Sequence, residues 1–293
     1  VRAEATIGEG PVVDHRDGRL VWVDLAEGVL YSTEVSTGAT QQTVIGGSLG
    51  AVAPRAQHPG YAAAVDDGFG VVDHGVLTLI DEALPEAEYR MNDAAVDSRG
   101  RLWAGSMMRT PRDGTGQLHR WQAGAPSTTM ASGLTLPNGI GWTADDRTMV
   151  VADSYQRRIM TADFDADDGT IGELRTLVDV AEGEGLPDGL SVDVDGCIWV
   201  ALWGGYEVRR YSPEGEIVES IPMPVPKPSS CALFADGTLV ITSARWGLDD
   251  RELREHPLSG SLFVTDVAVA GVPTASFAGE TSRHECGIVH LDR

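Results

Sequence analysis

The chain has 293 residues with 22 basic and 44 acidic side chains, so its formal net charge is −22. Hydrophobic residues make up 42% of the sequence, which predicts a folded globular protein rather than an acidic disordered tail. Nucleic acid and anionic membrane surfaces are excluded as main partners, because the chain has a single lysine, Lys227, and a twofold excess of acidic residues.

The N-terminal segment and the cysteines do not indicate a secreted protein, and the apolar runs do not indicate a membrane protein. No apolar run approaches the roughly 20 residues of a membrane-spanning helix. The segment Val1–Glu4 shows no charged region followed by an apolar stretch, so we predict no signal peptide and a cytoplasmic location. Cys197, Cys231 and Cys286 are odd in number and widely spaced, which favours buried free thiols over a disulfide framework.

Short apolar strands that follow Asp/Gly turns recur along the chain. Their centres lie at positions 22, about 62, 103, 150, 199 and 240, roughly 40 to 49 residues apart. A second candidate strand follows most of these units, at 29–32, 117–120, 158–160, 208–211 and 261–264. This repeat fits one four-stranded sheet per unit. We therefore predict an all-β protein that forms a six-bladed β-propeller over residues 1–279, with a β-sandwich as the alternative.

Several other patterns in the sequence carry no prediction of chemistry. Residues 280–293 show no repeat and are expected to form a C-terminal tail that closes the ring or lies on the surface. The segment Gly46–Gly50 matches G-x-S-x-G, but a strand-like run broken by Pro54 follows where a nucleophile elbow needs a helix. The segment Asp163–Gly169 resembles a calcium-binding EF-hand loop without its Gly and Glu, so we predict a solvated hairpin turn.

Four acidic or amide residues occupy equivalent places at the start of the innermost strand of a predicted blade. They are Glu9, Asn92, Asn138 and Asp188. In a propeller these strand starts converge at one mouth of the central channel, so residues about 45 apart in sequence would meet there. Each residue taken alone is also typical of an ordinary turn.

Two carboxylates and an amide oxygen, without His or Cys, are a ligand set for a hard or intermediate divalent cation. The set favours Ca²⁺, Mg²⁺ or Mn²⁺ and is compatible with Zn²⁺. We therefore predict one metal site in the central channel.

Together these motifs resemble the SMP-30/gluconolactonase/regucalcin-like family of six-bladed propellers with one channel metal. The resemblance covers about residues 7–279 and is carried by the segments 8–11, 90–97, 137–139, 187–189, 201–205, 242–245 and 257–263. It implies a lactonase with one divalent cation, most simply Ca²⁺, and a small sugar-type lactone as substrate.

By that resemblance Glu9, Asn138 and Asp188 match the metal ligands of the family. Arg90 matches the arginine that orients the substrate, and Asn92 matches a residue that contacts the substrate, or the metal through water. The sequence departs from the family pattern at Val13, where Trp is common. It also departs in the segment 109–114, which has no Glu where the animal regucalcins have a substrate-binding one. The sugar specificity of that branch is therefore not expected here.

The expected chemistry is hydrolysis of the lactone, with the cation polarising the carbonyl and Asp188 acting as the general base. Water activated by the cation itself is the alternative to Asp188. Two other functions remain open from the sequence. One is a different reaction on the same scaffold, as in strictosidine-synthase-like proteins, and the other is calcium binding without catalysis.

Overall fold

The computed structural model describes residues 1–84 and 86–279, and over these ranges the chain forms six antiparallel β-sheets. The sheets follow one another in sequence, and each is a meander of neighbouring strands. The inner strand of each sheet contacts the inner strands of the sheets before and after it, and the last contacts the first. The prediction of a six-bladed β-propeller is therefore confirmed. The predicted tail, 280–293, lies outside the described residues, and so does Cys286.

The six blades are named here by their strands in chain order. The strands of blades 1, 2 and 3 are β1 (Gly8–Asp14), β2 (Arg19–Asp24), β3 (Val29–Thr33), β4 (Thr40–Val44); β5 (Leu49–Pro54), β6 (Tyr61–Val65), β7 (Gly68–Asp73), β8 (Val76–Asp81); β9 (Tyr89–Val96), β10 (Leu102–Met108), β11 (Gly116–Trp121) and β12 (Thr128–Leu134). The strands of blades 4, 5 and 6 are β13 (Pro137–Trp142), β14 (Thr148–Asp153), β15 (Arg158–Asp165), β16 (Thr170–Ile171), β17 (Arg175–Asp179); β18 (Leu186–Val192), β19 (Ile198–Trp203), β20 (Glu207–Tyr211), β21 (Ile217–Pro222); β22 (Pro228–Leu233), β23 (Thr238–Ser243) and β24 (Phe263–Asp266). The first strand of each blade lines the central channel.

Two of the repeated Asp-turn-Trp units are held by the same buried contact. In blade 3 the Asp97 carboxylate accepts a hydrogen bond from the Trp103 indole at 2.8 Å, and in blade 5 Asp193 accepts one from Trp199 at 3.0 Å. Both carboxylates are fully buried. The repeat that is visible in the sequence is therefore a repeat of one interaction, in which an Asp closes the turn and fixes an indole between blades.

Segments outside the blades join the two ends of the chain to the ring. The N-terminal segment is tied to blade 6 through a β-bridge between Ile7 and Ala244 and a 2.7 Å hydrogen bond from the Val1 ammonium to Leu262 O. The segment 271–277 runs from blade 5 to blade 2 across the end of the channel where the inner strands finish. It forms bridges at both of those blades, Asp193 with Gly271 and Arg55 with Phe277.

Some local features differ from the sequence prediction. The only helix in the described part of the chain, α1 (Asp250–Glu255), was not predicted from the sequence, and it begins with a capping box between Asp249 and Glu252. The turn predicted at 163–169 is confirmed as a hairpin between β15 and β16. Cys197 and Cys231 are free and buried, as predicted. No described helix has the length and apolarity that crossing a membrane requires.

We expect Asp193→Ala to lower the free energy of unfolding by about 3 kcal/mol, because it leaves the half-buried Arg210 without its 2.8 Å partner and removes the acceptor of Trp199. Asp195→Ala is the matched control, since Asp195 pairs with the same arginine at 3.2 Å but is 65% exposed. The control should lose less than about 1 kcal/mol. Denaturant unfolding of the two variants measures the difference, and equal losses would contradict the assignment.

Candidate functional site

A cavity of about 320 Å³ opens at one mouth of the channel, and all five residues predicted from the sequence line it. Glu9, Arg90, Asn92, Asn138 and Asp188 come from blades 1, 3, 4 and 5. The rest of the wall is aliphatic or aromatic with a few polar groups. It includes Leu136, Leu186, Ser154, Tyr155, Trp203, Lys227 and Trp246. The structure thus brings together residues that are up to 179 positions apart in the chain, from 9 to 188.

Each inner strand has a break in its ladder at the place where these side chains occur. The pairing shifts between Glu9 and Val12 in β1, and between Pro187 and Leu190 in β18. Corresponding shifts occur in the other four inner strands, at Gly50, Asn92, Asn138 and Ser229. A β-bulge of this kind bends the strand and redirects a side chain. Six equivalent bulge positions therefore surround the channel, namely Glu9, Gly50, Asn92, Asn138, Asp188 and Ser229.

Two of the six bulge positions contribute no free side chain. A Cβ atom on Gly50 would lie 1.9 Å from the carbonyl oxygen of Asn92, so blade 2 can have only glycine there. The hydroxyl of Ser229 is already bonded to Gly8 O and to Thr242 Oγ1. The polar groups that remain come from the other four blades, and these are the four residues singled out in the sequence.

Buried aspartates at the ends of second strands fix the entrances of two of the inner strands. Asp24 accepts hydrogen bonds from Thr6 N at 2.6 Å and from Ile7 N at 3.1 Å, just ahead of Glu9. Asp153 does the same in blade 4, with Thr135 N at 2.6 Å and Leu136 N at 3.0 Å. The backbone is therefore held two residues before the functional side chain in both blades.

The Asn138 side chain is oriented by its amide nitrogen, which leaves its oxygen free. Nδ2 donates to Asp188 Oδ1 and to Ser154 Oγ, the latter at 3.1 Å. Ser154 Oγ in turn donates to Pro187 O at 2.7 Å, which joins blade 4 to blade 5. Asn138 Oδ1 is buried and has no hydrogen-bond partner among the residues that the structure describes. This is an acceptor atom that lacks a donor.

Three buried carboxylates lie around the channel, and each affects its neighbours. Burial, together with the charges of Asp188 and Asp93, raises the pKa of Glu9 well above its usual value. Burial and the charge of Asp93 likewise raise the pKa of Asp188. Burial raises the pKa of Asp93 to about 6. Without a compensating cation, this arrangement disfavours the charged forms of all three.

Arg90 and Asn92 form a connected pair at the cavity wall. Arg90 Nη1 donates to Asn92 Oδ1 at 2.8 Å, and Asn92 Nδ2 donates to Pro137 O at 3.2 Å. Burial and the nearby Arg109 lower the pKa of Arg90 to about 10, so the guanidinium stays charged at neutral pH. The pair presents a fixed cation beside the carboxylates.

The residues present fit a divalent cation. Asn138 Oδ1 is a buried acceptor that receives no hydrogen bond from the described residues, so a cation could bind it. Glu9 and Asp188 supply buried carboxylate oxygens to the same cavity. Within residues 1–84 and 86–279, no group of three or more His, Cys, Asp or Glu side chains is placed to hold a metal ion. The candidate set has only two such side chains, and its third oxygen comes from an amide, which suits an oxygen-preferring cation.

Comparison with known proteins agrees with this architecture. The family described as SMP-30/Gluconolactonase/LRE-like region matches residues 7–245. The chain belongs to this family. It is 30% identical to regucalcin of Xenopus laevis over 93% of this chain and 95% of that protein. It is 33% identical to 6-deoxy-6-sulfogluconolactonase of Pseudomonas putida over 95% of this chain and 97% of that protein.

A solved structure of a family member is also closely similar. The calcium-binding protein regucalcin of Agrobacterium tumefaciens superposes with a TM-score of 0.88 at 28% identity, over 94% of this chain and 95% of that one. The family resemblance predicted from the sequence is therefore confirmed. The alignments cover 95% or more of each of these three proteins, so this chain matches them over nearly their whole length.

Sequence reasoning missed several residues of the cavity in this chain. Ser154, which orients Asn138, directly follows the Asp153 of a repeat unit, and that position was the available signal. Lys227 and Trp246 line the cavity from loops that carry no motif, and Trp203 lies in the segment 201–205, which was used for the family resemblance but not assigned to the site. These residues meet only in the folded ring, so the sequence alone did not predict that they line one cavity.

We expect Ser154→Ala to weaken Ca²⁺ binding about tenfold, because the Asn138 amide loses one of the two acceptors that orient it. Ser243→Ala is the matched control, since this buried hydroxyl donates to Ser261 O at 2.8 Å away from the cavity. Isothermal titration calorimetry with Ca²⁺ and thermal unfolding would be measured together. Similar losses of stability but unchanged Ca²⁺ affinity in both variants would refute the role of Ser154.

Proposed function

We propose that the protein is a metal-dependent lactonase that hydrolyses a small sugar-type lactone at the channel mouth. The observation that carries the proposal is the buried, unpartnered Asn138 Oδ1 beside two buried carboxylates, in a cavity whose wall also presents Arg90 and Asn92. The relative from Pseudomonas putida is named a lactonase, which supports the same class of reaction.

Glu9, Asn138 and Asp188 would hold the cation. Ca²⁺ is the first choice, because the ligand atoms are all oxygens and one similar protein is named calcium-binding. Zn²⁺, Mn²⁺ and Mg²⁺ are the alternatives. When bound, the cation supplies electrophilic chemistry, since it polarises a carbonyl oxygen and lowers the pKa of water.

The side chains of the chain itself bind the substrate and move the proton. Arg90 donates to hydroxyl or carbonyl oxygens of the lactone, and its bond to Asn92 fixes the direction from which it does so. The aromatic wall formed by Tyr155, Trp203 and Trp246 packs against the C–H faces of a sugar ring and excludes water from one side.

Asp188 is the group that accepts a proton from the attacking water. Its carboxylate is buried at the cavity wall, and Asn138 Nδ2 donates to Oδ1. Oδ2 is therefore the atom at which the proton is taken up. The water oxygen bonds to the carbonyl carbon, the ring C–O bond breaks, and the ring oxygen leaves as an alcohol after it takes back the proton that Asp188 accepted.

We expect the purified protein to release acid from D-glucono-1,5-lactone or from another lactone of a small panel, as followed by pH-stat titration. A chelator should abolish this activity, and Ca²⁺ or another divalent cation should restore it. Asp188→Asn should lower kcat at saturating Ca²⁺ by about 100-fold or more, since it removes the proton acceptor but keeps its shape. Asp195→Asn, an exposed change in the same blade, is the control.

The remaining outcomes separate the alternatives. Tight Ca²⁺ binding with no acid released from any lactone would favour calcium binding without catalysis. Full turnover by an Asp188→Asn variant that binds Ca²⁺ weakly would show that Asp188 is not the base. Activity that survives complete removal of the metal would overturn the metal-dependent mechanism.

A further inference from the structure

A second level of side chains lines the cavity above the bulge positions. The residues two places before each bulge position share its side of the strand, because side chains alternate along an extended chain. Five of these six residues line the cavity, and they are Ile7, Arg90, Leu136, Leu186 and Lys227. Three are aliphatic, and the two charged ones are both cations.

Arg90 and Lys227 occupy opposite sides of the channel. Arg90 belongs to blade 3, and Lys227 leads into β22 of blade 6. The blades follow one another around the ring in chain order, so blades 3 and 6 of six face each other across the axis. Lys227 is thus the equivalent, across the cavity, of the cation that the sequence assigned to substrate binding.

The position of Lys227 is fixed by neutral groups, and the nearest influence of opposite charge is the Coulomb attraction of Glu252, which is not within ion-pair distance. Its Nζ lies 5.2 Å from the centre of the Trp203 ring and donates to Trp246 O at 2.6 Å. It forms no ion pair with any carboxylate of residues 1–84 and 86–279. An ammonium group has three N–H donors, so two remain for a ligand in the cavity. Burial also lowers the pKa of Lys227 from its usual value.

The composition makes this placement informative. Lys227 is the only lysine among 293 residues, in a chain with 44 acidic side chains. A cation without a carboxylate partner in a half-buried wall costs solvation that a bound anion would restore. Because no described carboxylate lies within ion-pair distance of Lys227 Nζ, an anionic oxygen in the cavity could take that place.

We propose that Lys227 is a second ligand-binding cation of the site, opposite Arg90, and that it binds a negatively charged oxygen of the ligand. This rests on the proposed lactonase function. Two sources of that oxygen have the same chemistry. One is an anionic substituent carried by the lactone, such as a carboxylate, sulfonate or phosphate. The other is the carboxylate that ring opening creates, after water adds to the carbonyl carbon and its second proton is lost to solvent.

The test compares two lactones that share a ring and differ in one charged group. Values of kcat/KM would be measured for D-glucono-1,5-lactone and its 6-phosphate, together with the inhibition constant of D-gluconate. The proteins are the wild type, Lys227→Met, Lys227→Arg and the control Arg251→Gln. Arg251 lies on exposed α1 and pairs with Glu255 at 2.8 Å, so its loss changes the net charge outside the cavity. Thermal unfolding checks that each variant is folded.

If the anion is a substituent, Lys227→Met should lower the ratio of kcat/KM for the charged over the neutral lactone about tenfold, as expected for a hydrogen bond to a charged group. If it is the freed carboxylate, the inhibition constant of D-gluconate should rise by a similar factor while the ratio stays unchanged. Lys227→Arg keeps the charge and should retain most of the wild-type behaviour. Arg251→Gln should change neither quantity.

The proposal is overturned if Lys227→Met changes neither the ratio nor the inhibition constant, or if Arg251→Gln changes them equally. Failure of the lactonase function has a different signature, in which the wild type hydrolyses neither lactone. Calorimetric titration of the wild type and Lys227→Met with D-gluconate and its 6-phosphate then decides the role of Lys227 without turnover. Equal affinities in both proteins would reject it.

Discussion

Closure of the ring is the constraint on which this structure depends. The polar bulge residues of the cavity, Glu9, Asn92, Asn138 and Asp188, belong to blades 1, 3, 4 and 5, and they meet only because blade 6 returns to blade 1. The return is made by backbone contacts, including Leu262 N to Val1 O at 2.9 Å and Ala5 N to Gly260 O at 2.9 Å. At the channel, Ser229 Oγ donates to Gly8 O next to Glu9. Each sheet buries its faces against two neighbours, so none of them is stable in this form alone.

The bulges divide the channel into two chemically different ends. Asn92 and Asp93 are consecutive, yet Asn92 lines the mouth cavity and Asp93 lines a second cavity of about 300 Å³ towards the other end. Most residues that line the second cavity are apolar, and the segment 272–275 forms part of its wall. The bulge between Met91 and Ala94 thus directs two consecutive side chains to different cavities, and the cavity on the Asn92 side is the one that Glu9, Asn138 and Asp188 line.

The sequence was sufficient to predict the repeat and the four polar bulge residues that line the cavity. Trp103 and Trp199 mark the blades because the same Asp contact holds each of them, and such a contact leaves a fixed spacing in the sequence. Lys227 left no such mark, since a lysine before a strand has many uses on a protein surface. The proposed role of Lys227 depends on its place opposite Arg90, and a local sequence pattern does not show which blades face each other.

Short or irregular elements were also not predicted from the sequence, because they lack a repeated local pattern. Helix α1 has six residues and no buried side chain, so it lacks the apolar periodicity by which longer helices are recognised. Its capping box, with Asp249 and Glu252, is a local signal that was present but not decisive. Gly50 is required by the carbonyl oxygen of Asn92, a contact between blades that a linear reading cannot supply.

The electrostatics of the site follow from the same bulges. Where the ladder shifts, backbone N–H groups are released from cross-strand pairing and can donate to the carboxylates. Gly10 N donates to Glu9 Oε2 at 3.3 Å, and the backbone of Gly189 lowers the pKa of Asp188 against the effect of burial. These donors offset only part of the effect of burial and of the neighbouring like charges, since the pKa of both Glu9 and Asp188 remains raised. A divalent cation at Asn138 Oδ1 would supply the missing compensation, which links this buried amide oxygen, unpartnered among the described residues, to the strand irregularity that placed it there.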